Sequence, residues 1–210
     1  NLGVPLRDKQ VLILGAGGAV RGVLDPILRH RPKRVLLANR TVARARDLVA
    51  HFKLHGPVEA CDFDALKGQH FDIVINGTSA SLKGELPPLP DTLLKRGALA
   101  YDLMYGDRPT PFMEWAMLHG AEKVVDGLGM LVEQAAESYF LWRGVRPETR
   151  PVIAELRKGV PGTATQASCT SAPKSKRCSA GSLLGRKISR SCCHQTSASS
   201  AAYDSATSTG

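Results

Sequence analysis

No apolar run in the 210 residues approaches the roughly 20 that a membrane-spanning helix needs, so no membrane partner is expected. The opening "NLGVPLRDK" lacks the charged-then-apolar layout of a secretory signal, and a cytoplasmic home is the default reading. It also lacks an initiator Met, which leads to the expectation of a chain that begins inside a longer protein. Cysteine is scarce where the sequence reads as folded: only Cys61 falls there, while Cys169, Cys178, Cys192 and Cys193 lie towards the C-terminus. That spacing suits neither a zinc site nor a disulfide framework, so no metal is expected. Acids are nearly missing from 161–210, where six Lys or Arg accompany the single acid Asp204 and supply +5 of the net +9. A basic excess housed in such a stretch argues against a nucleic-acid partner, which calls for cations clustered on a folded face.

What is present is an alternation of strand and helix patterns over 1–160. Val11–Leu14 is a short apolar run ending in glycines, the pattern of a buried parallel strand. Ala19, Val23, Leu24, Ile27 and Leu28 then fall on one helical face, and Pro32 closes the segment. Val35–Ala38 reads as a second strand. Thr41 is placed to cap a helix with Ala45, Leu48, Val49 and Phe52 inward. Further strands are predicted at Val58–Ala60, Ile73–Asn76, Ala98–Leu103 and Lys123–Asp126, with a helix over Pro111–His119 between the last two. "GMLVEQAAESYFLWRG" predicts a helix with Leu131, Ala135, Tyr139 and Trp142 inward, stopped by Gly144, and Pro151–Lys158 a short last helix. The fold class is therefore α/β: a Rossmann-type doubly wound parallel sheet, strand order 3-2-1-4-5-6, with both faces covered. After Val160 the chain turns rich in Ser, Ala and Thr and loses apolar periodicity. Such a stretch buries too little surface to offset its ordering entropy, so 161–210 is expected to be a disordered tail. A non-native or out-of-frame extension is the other reading of it.

"GAGGA", Gly15, Ala16, Gly17, Gly18 and Ala19, stands between the first strand and the first helix. There Gly15 permits a sharp turn, and Gly17 presents no side chain to a pyrophosphate approaching the backbone. Gly18 and Ala19 leave the helix N-terminus open to phosphate. Val20 stands where the usual third glycine would be, and Gly22 is expected to let the helix lie close to the sheet instead. The second strand ends "LLANRT", without the acid that takes a ribose 2′-hydroxyl in many NAD sites. Asn39 is neutral there, and Arg40 and Arg44 offer planar donors suited to a 2′-phosphate. Thr41 adds a hydroxyl and a second helix N-terminus. The cofactor expected from this chemistry is NADP rather than NAD.

"GAGGAVRG", "ANRTVARA", "DIVINGTS", "YDLMYGDRPTPF" and "DGLGMLVEQAA" together resemble shikimate dehydrogenase, in that family's order and spacing, over residues 1–158. The resemblance implies NADPH-dependent reduction of 3-dehydroshikimate to shikimate in aromatic amino-acid biosynthesis. It also implies a chain corresponding to the family's NADP-binding C-terminal domain. In the family the substrate is shared with an N-terminal domain that carries the catalytic Lys and Asp. Their motifs do not occur here, so no catalytic residue is assigned and little activity is expected of this chain alone. By the resemblance, Gly15–Ala19 would cradle the pyrophosphate, and Asn39, Arg40, Thr41 and Arg44 the phosphorylated adenosine. Asn76 and Thr78 would lie beside the cofactor, Leu103 and the backbone of Gly127 would flank the nicotinamide, and Tyr105 and Gln134 would reach shikimate.

The residues by themselves agree that Asn76–Thr78, Leu103–Tyr105 and Gly127 follow strand ends, where open α/β sheets bind ligands. Asp102 reads as structural or cofactor-neighbouring, Asp126 as a loop-shaping cap, and Tyr101 as a packed aromatic. Arg46 and Lys83 read as solvated. None of His30, His51, His55, His70, His119 and His194 pairs with a convincing acid on a strand exit, so none is assigned a role as a base. Two alternatives stay open: a quinate/shikimate dehydrogenase, which Asn39–Arg40 disfavours, and a nucleotide-binding interaction module without catalysis. A homodimer is left open as a partnership.

Overall fold

A computed structural model of the chain describes residues 2–80 and 84–158. The expectations for Lys83, for His194, for the four C-terminal cysteines and for the tail 161–210 lie outside the described residues. In chain order the elements are β1 (Gln10–Leu14), α1 (Gly18–Arg29), β2 (Arg34–Ala38), α2 (Val42–Phe52), β3 (Val58–Cys61), β4 (Phe71–Asn76), β5 (Leu94–Asp102), α3 (Pro111–Leu118), β6 (Lys123–Val125), α4 (Leu128–Arg143) and α5 (Arg150–Lys158). All strands pair in parallel, in the order β3-β2-β1-β4-β5-β6. This is the doubly wound sheet expected from the sequence.

Alternate residues of each strand feed two cores. Val11, Ile13, Val35, Leu37, Ile73 and Ile75 meet α1 and α2 on one face. Leu12, Leu14, Leu36, Val74 and Ala100 meet Phe112, Trp115 and Ala116 of α3 on the other. Each fully buried side chain of this kind contributes about 1.5–3 kcal/mol, and the paired layers hold the strand ends in register. One row of that register runs Ala38, Leu14, Asn76, Asp102 across four strands. The residues that follow, Asn39, Gly15, Gly77 and Leu103, therefore leave the sheet along one edge.

Several expectations need correction. Ala19 is exposed, and Val20 takes the inward place in α1 with Leu24, Ile27 and Leu28. Val20 is in phase with Leu24, Ile27 and Leu28 at i, i+4, i+7 and i+8, whereas Ala19 falls in the exposed first turn. Gly22 is exposed, and a Cβ there would meet no atom within 4 Å, so it does not bring α1 against the sheet. It stands four residues before Pro26, which cannot donate to the Gly22 carbonyl. In α4 the buried residues are Leu128, Gly129, Val132 and Ala136. Leu131, Ala135 and Tyr139 are exposed, and Trp142 is 81% exposed. The helix carries two apolar stripes, and its period alone does not select between them. β5 starts at Leu94 rather than Ala98, through an irregularity in its pairing with β4 where Gly97 takes φ +83°. Between the segment Leu2–Leu6, α1 and α4 lies an open cavity of about 1570 Å³, floored by Ile73, Ile75, Leu99 and Tyr101.

Candidate functional site

The strand exits are stitched together by main-chain bonds. The Gly15 N–H donates to Ala38 O at 2.8 Å, Gly77 N–H to Leu14 O at 2.9 Å, and Leu103 N–H to Asn76 O at 2.8 Å. Gly127 N–H donates to Met104 O at 2.9 Å. At three of these positions only glycine fits. Gly15 has φ +102°, and a Cβ on it would stand 2.8 Å from Gly77 O. A Cβ on Gly77 would stand 2.5 Å from Val20 Cγ2, and one on Gly127 2.2 Å from Leu103 O. Real carbon contacts do not come that close. Gly77 was missed in the sequence. Its signal was present, a glycine directly after a strand in "INGTS".

Gly17 and Gly18 behave in the opposite way. Both are exposed, and a Cβ on either would meet nothing within 4 Å. Packing therefore does not demand glycine there. What their bareness leaves open is the first turn of α1, which has no side-chain cap at Gly17 and no acid in its first turn. Main-chain N–H groups and the positive end of a helix dipole at such a turn suit an anion. Ala16 is half-buried beside it.

At the exit of β2, Asn39 donates from Nδ2 to Thr41 O at 2.8 Å, and its N–H donates to Cys61 O at 3.2 Å. Thr41 occupies the N-cap position of α2, but its side chain makes no capping bond. Its hydroxyl therefore does not take the capping place expected of it. Arg40 and Arg44 are exposed and bond to no carboxylate among the described residues. Cys61 sits beside them half-buried, and burial, with the charge of Asp62 adding to it, pushes its thiol up to about 11.

At the exits of β4 and β5 the polar groups turn inward. Asn76 and Asp102 are both fully buried. Asn76 Oδ1 accepts from Thr78 N–H at 3.2 Å and from Thr78 Oγ1 at 2.8 Å, and Asn76 Nδ2 donates to Asp102 Oδ2 at 3.1 Å. The Asn76 side chain thus braces Thr78. Asp126 does not cap α4, whose N-cap is Gly127. Its buried carboxylate is paired with Arg157 of α5 at 2.8 Å. Burial pushes the neighbouring Tyr101 phenol up, against a backbone hydrogen bond with Met130.

The structure brings Gly18, Ala19, Leu103 and Gln134 to one cavity, the 1570 Å³ opening above the sheet. Tyr105 is 49% exposed and does not line it. Arg40 lines a separate cavity of about 410 Å³ with Asp62, Phe63 and Pro88. Among the described residues no group of His, Cys, Asp or Glu is arranged to hold a metal, and no helix is long and apolar enough to cross a membrane.

Comparison with known proteins bears on family and fold. Residues 2–83 match the model of the family described as shikimate / quinate 5-dehydrogenase. Residues 127–157 match that of the shikimate 5'-dehydrogenase C-terminal domain. The chain is 62% identical over 157 residues to a shikimate dehydrogenase (NADP(+)) of Alkalilimnicola ehrlichii, covering 75% of this chain and 58% of that one. It is 58% identical over 158 residues to the protein of that name from Cellvibrio japonicus, covering 75% and 57%. Among solved structures it is similar to an Ael1 enzyme from Pseudomonas putida at 51% identity and TM-score 0.69, covering 74% of this chain and 57% of that chain. The chain thus spans between half and two thirds of the length of these relatives.

Proposed function

This chain belongs to the shikimate dehydrogenase family, and on that premise we propose that residues 2–158 form the NADP(H)-binding part of an enzyme interconverting 3-dehydroshikimate and shikimate. The observation that carries this reading is the pairing of an uncapped, acid-free helix N-terminus behind Gly17 with two guanidiniums at the next strand exit that pair with no carboxylate among the described residues. One is suited to a pyrophosphate, the other to a ribose 2′-phosphate. Gly15–Ala19 would hold the pyrophosphate, with Gly15 making the turn and Gly17 and Gly18 exposing the backbone. Asn39, Arg40, Thr41 and Arg44 would hold the phosphorylated adenosine, and the exposed Thr41 hydroxyl is free of capping duty. Leu103 and Gly127, locked against each other, would bound the nicotinamide, with Asn76 and Thr78 behind them. When bound, the coenzyme supplies the hydride.

Gln134 reaches the cavity from α4 and suits a polyhydroxylated ring, to which its amide offers a donor and an acceptor. Tyr105, on the exposed loop beyond Leu103, would join it from outside the cavity. Among the described residues no lysine lines that cavity, and by the family resemblance the proton that leaves or joins the substrate oxygen would be handled by a Lys and an Asp outside it. An α/β domain of the same enzyme would provide them. The small-molecule substrate would then be shared across two domains, in a protein read as cytoplasmic.

Titration of the full chain with NADPH and NADH tests the reading. The expected result is NADPH binding tighter by about tenfold or more, with no turnover of shikimate and NADP. Equal affinity for the two coenzymes overturns the cofactor assignment, and turnover overturns the need for a second domain.

A further inference from the structure

We propose that Asp102 is a positioning residue for the nicotinamide end of this site, acting through the main chain of Leu103 and Met104 without touching coenzyme or substrate. The inference rests on the coenzyme reading above and extends it to a residue with 0% exposure. Three segments that end at the site converge on its carboxylate. Oδ1 accepts from the Met104 N–H at 3.0 Å. Oδ2 accepts from Thr110 Oγ1 at 2.6 Å and from Asn76 Nδ2 at 3.1 Å. Thr110 is the N-cap of α3, and its hydroxyl also accepts from Met113 N–H.

The consequence falls on Leu103. Its own N–H is held by Asn76 O, and the next N–H, that of Met104, is held by Asp102. The peptide units on both sides of Leu103 are therefore anchored, which fixes where its side chain points. The Met104 carbonyl in turn accepts from Gly127 N–H. One buried charge thus stands one hydrogen bond from the Met104 segment and, through the Met104 carbonyl, two from Gly127.

An ionised carboxylate accepts only, so it can serve donors on every side, and charge-assisted bonds are shorter and more directional than neutral ones. A well-packed apolar group at this position would satisfy burial equally well. It would leave the Met104 N–H without an acceptor and Leu103 free to swing. An amide in place of the carboxylate puts an NH2 against a donor whichever way it turns. If Asn76 flips to relieve that conflict, Thr78 loses its acceptor. The disturbance is therefore expected at the β4 and β5 exits and not at Arg40, whose strand lies on the other side of β1.

The test compares two ligands on the full chain: NADPH, and adenosine 2′,5′-bisphosphate, which carries the phosphorylated adenosine but no nicotinamide. For Asp102→Asn the expected result is NADPH binding weakened about tenfold and loss of the nicotinamide fluorescence change on binding. The bisphosphate should bind as to the unaltered chain. Thr110→Val, which removes one donor to Oδ2, should shift the same two readouts in the same direction by less, and Thr110→Ser should restore them. Equal weakening of both ligands, or an unchanged fluorescence response, overturns the positioning role. If Asp102→Asn does not fold, Thr110→Val and Thr110→Ser decide, and identical behaviour of that pair overturns the proposal. An unaltered chain that binds neither ligand defeats the coenzyme reading itself, whereas failure of the split alone defeats only the role of Asp102.

Discussion

At the exit of β2, Arg40 and Arg44 stand in solvent with no carboxylate bonded to them among the described residues. At the exits of β4 and β5, Asn76 and Asp102 are sealed in and bonded to neighbours on all sides. The first arrangement costs the fold little and can be altered with little structural consequence. The second is woven into the same packing that holds the sheet. A coenzyme that spans both ends would meet adjustable cations at its adenosine end and a rigid wall at its nicotinamide end. Selectivity between coenzymes and alignment of the reactive ring are then separable properties, governed by different residues.

The largest effect that would break this contrast belongs to the glycines. In Gly127→Ala the new methyl would collide with the Leu103 carbonyl, a backbone atom with nowhere to go. The variant is expected to lose about 3 kcal/mol or more of stability, as forced overpacking does, read as a lower denaturant midpoint with NADPH binding lost alongside. Gly17→Ala is its counterpart. Its methyl meets open space, so stability should fall by no more than about 1 kcal/mol, the scale of an N-cap change, while NADPH binding weakens. If Gly17→Ala unfolds the chain as Gly127→Ala does, the open turn is structural and the division between the two ends is wrong.

Next in size is Arg40→Ala. Removal of an unpaired exposed cation should leave the unfolding midpoint within about 0.5 kcal/mol of the unaltered chain. Loss of a charge-assisted contact to a 2′-phosphate should weaken NADPH by about 1.5–3 kcal/mol and leave NADH nearly untouched. Weakening of both coenzymes alike would mean that Arg40 supports the loop rather than the phosphate.

These two sets of residues were not equally legible in the sequence. Arg40, Arg44 and the "GAGGA" turn announce themselves because their chemistry is local: a strand ends, glycines follow, and an expected acid is replaced by cations. The six strands were legible for a related reason, since a buried parallel strand such as Val11–Leu14 must be apolar throughout. What escaped was set by contacts between distant segments. Gly77 is required by Val20, and the steric need for glycine at Gly127, a position the family resemblance does mark, comes from Leu103. Asp126 is paired with Arg157, thirty-one positions away. The sequence also placed Asn76 beside the cofactor without foreseeing that its side chain is spent on Thr78 and Asp102. The inner stripe of α4 was misread because Leu131, Tyr139 and Trp142 are as apolar as Leu128 and Val132, and hydrophobicity cannot tell which stripe meets the sheet.

The opposite end of the sheet sharpens the comparison with the smallest expected effect. Asp72 is the second residue of β4, four positions along the strand from Asn76. Its Oδ2 accepts from Gln10 N–H at 2.8 Å and from Lys95 Nζ at 2.9 Å, tying β1, β4 and β5 where no ligand is proposed. Burial alone would raise the Asp72 carboxyl, but those two bonds and the charges of Lys95 and Lys9 outweigh it and hold it below the usual carboxylate range. A group lowered in the folded state stabilises fully above its unfolded value, near 4, and loses that contribution as pH falls through the folded one. Asp72→Asn should therefore cost about 1 kcal/mol at neutral pH, and its deficit against the unaltered chain should shrink as the pH is lowered below about 4. Unfolding midpoints across that range measure it. Coenzyme affinity should not move at all, because Asp72 has no bond to the exit row. A change in NADPH binding in this variant would show that the two ends of the sheet are coupled through β4, and that the wall at Asn76 and Asp102 depends on the whole strand rather than on its own hydrogen bonds.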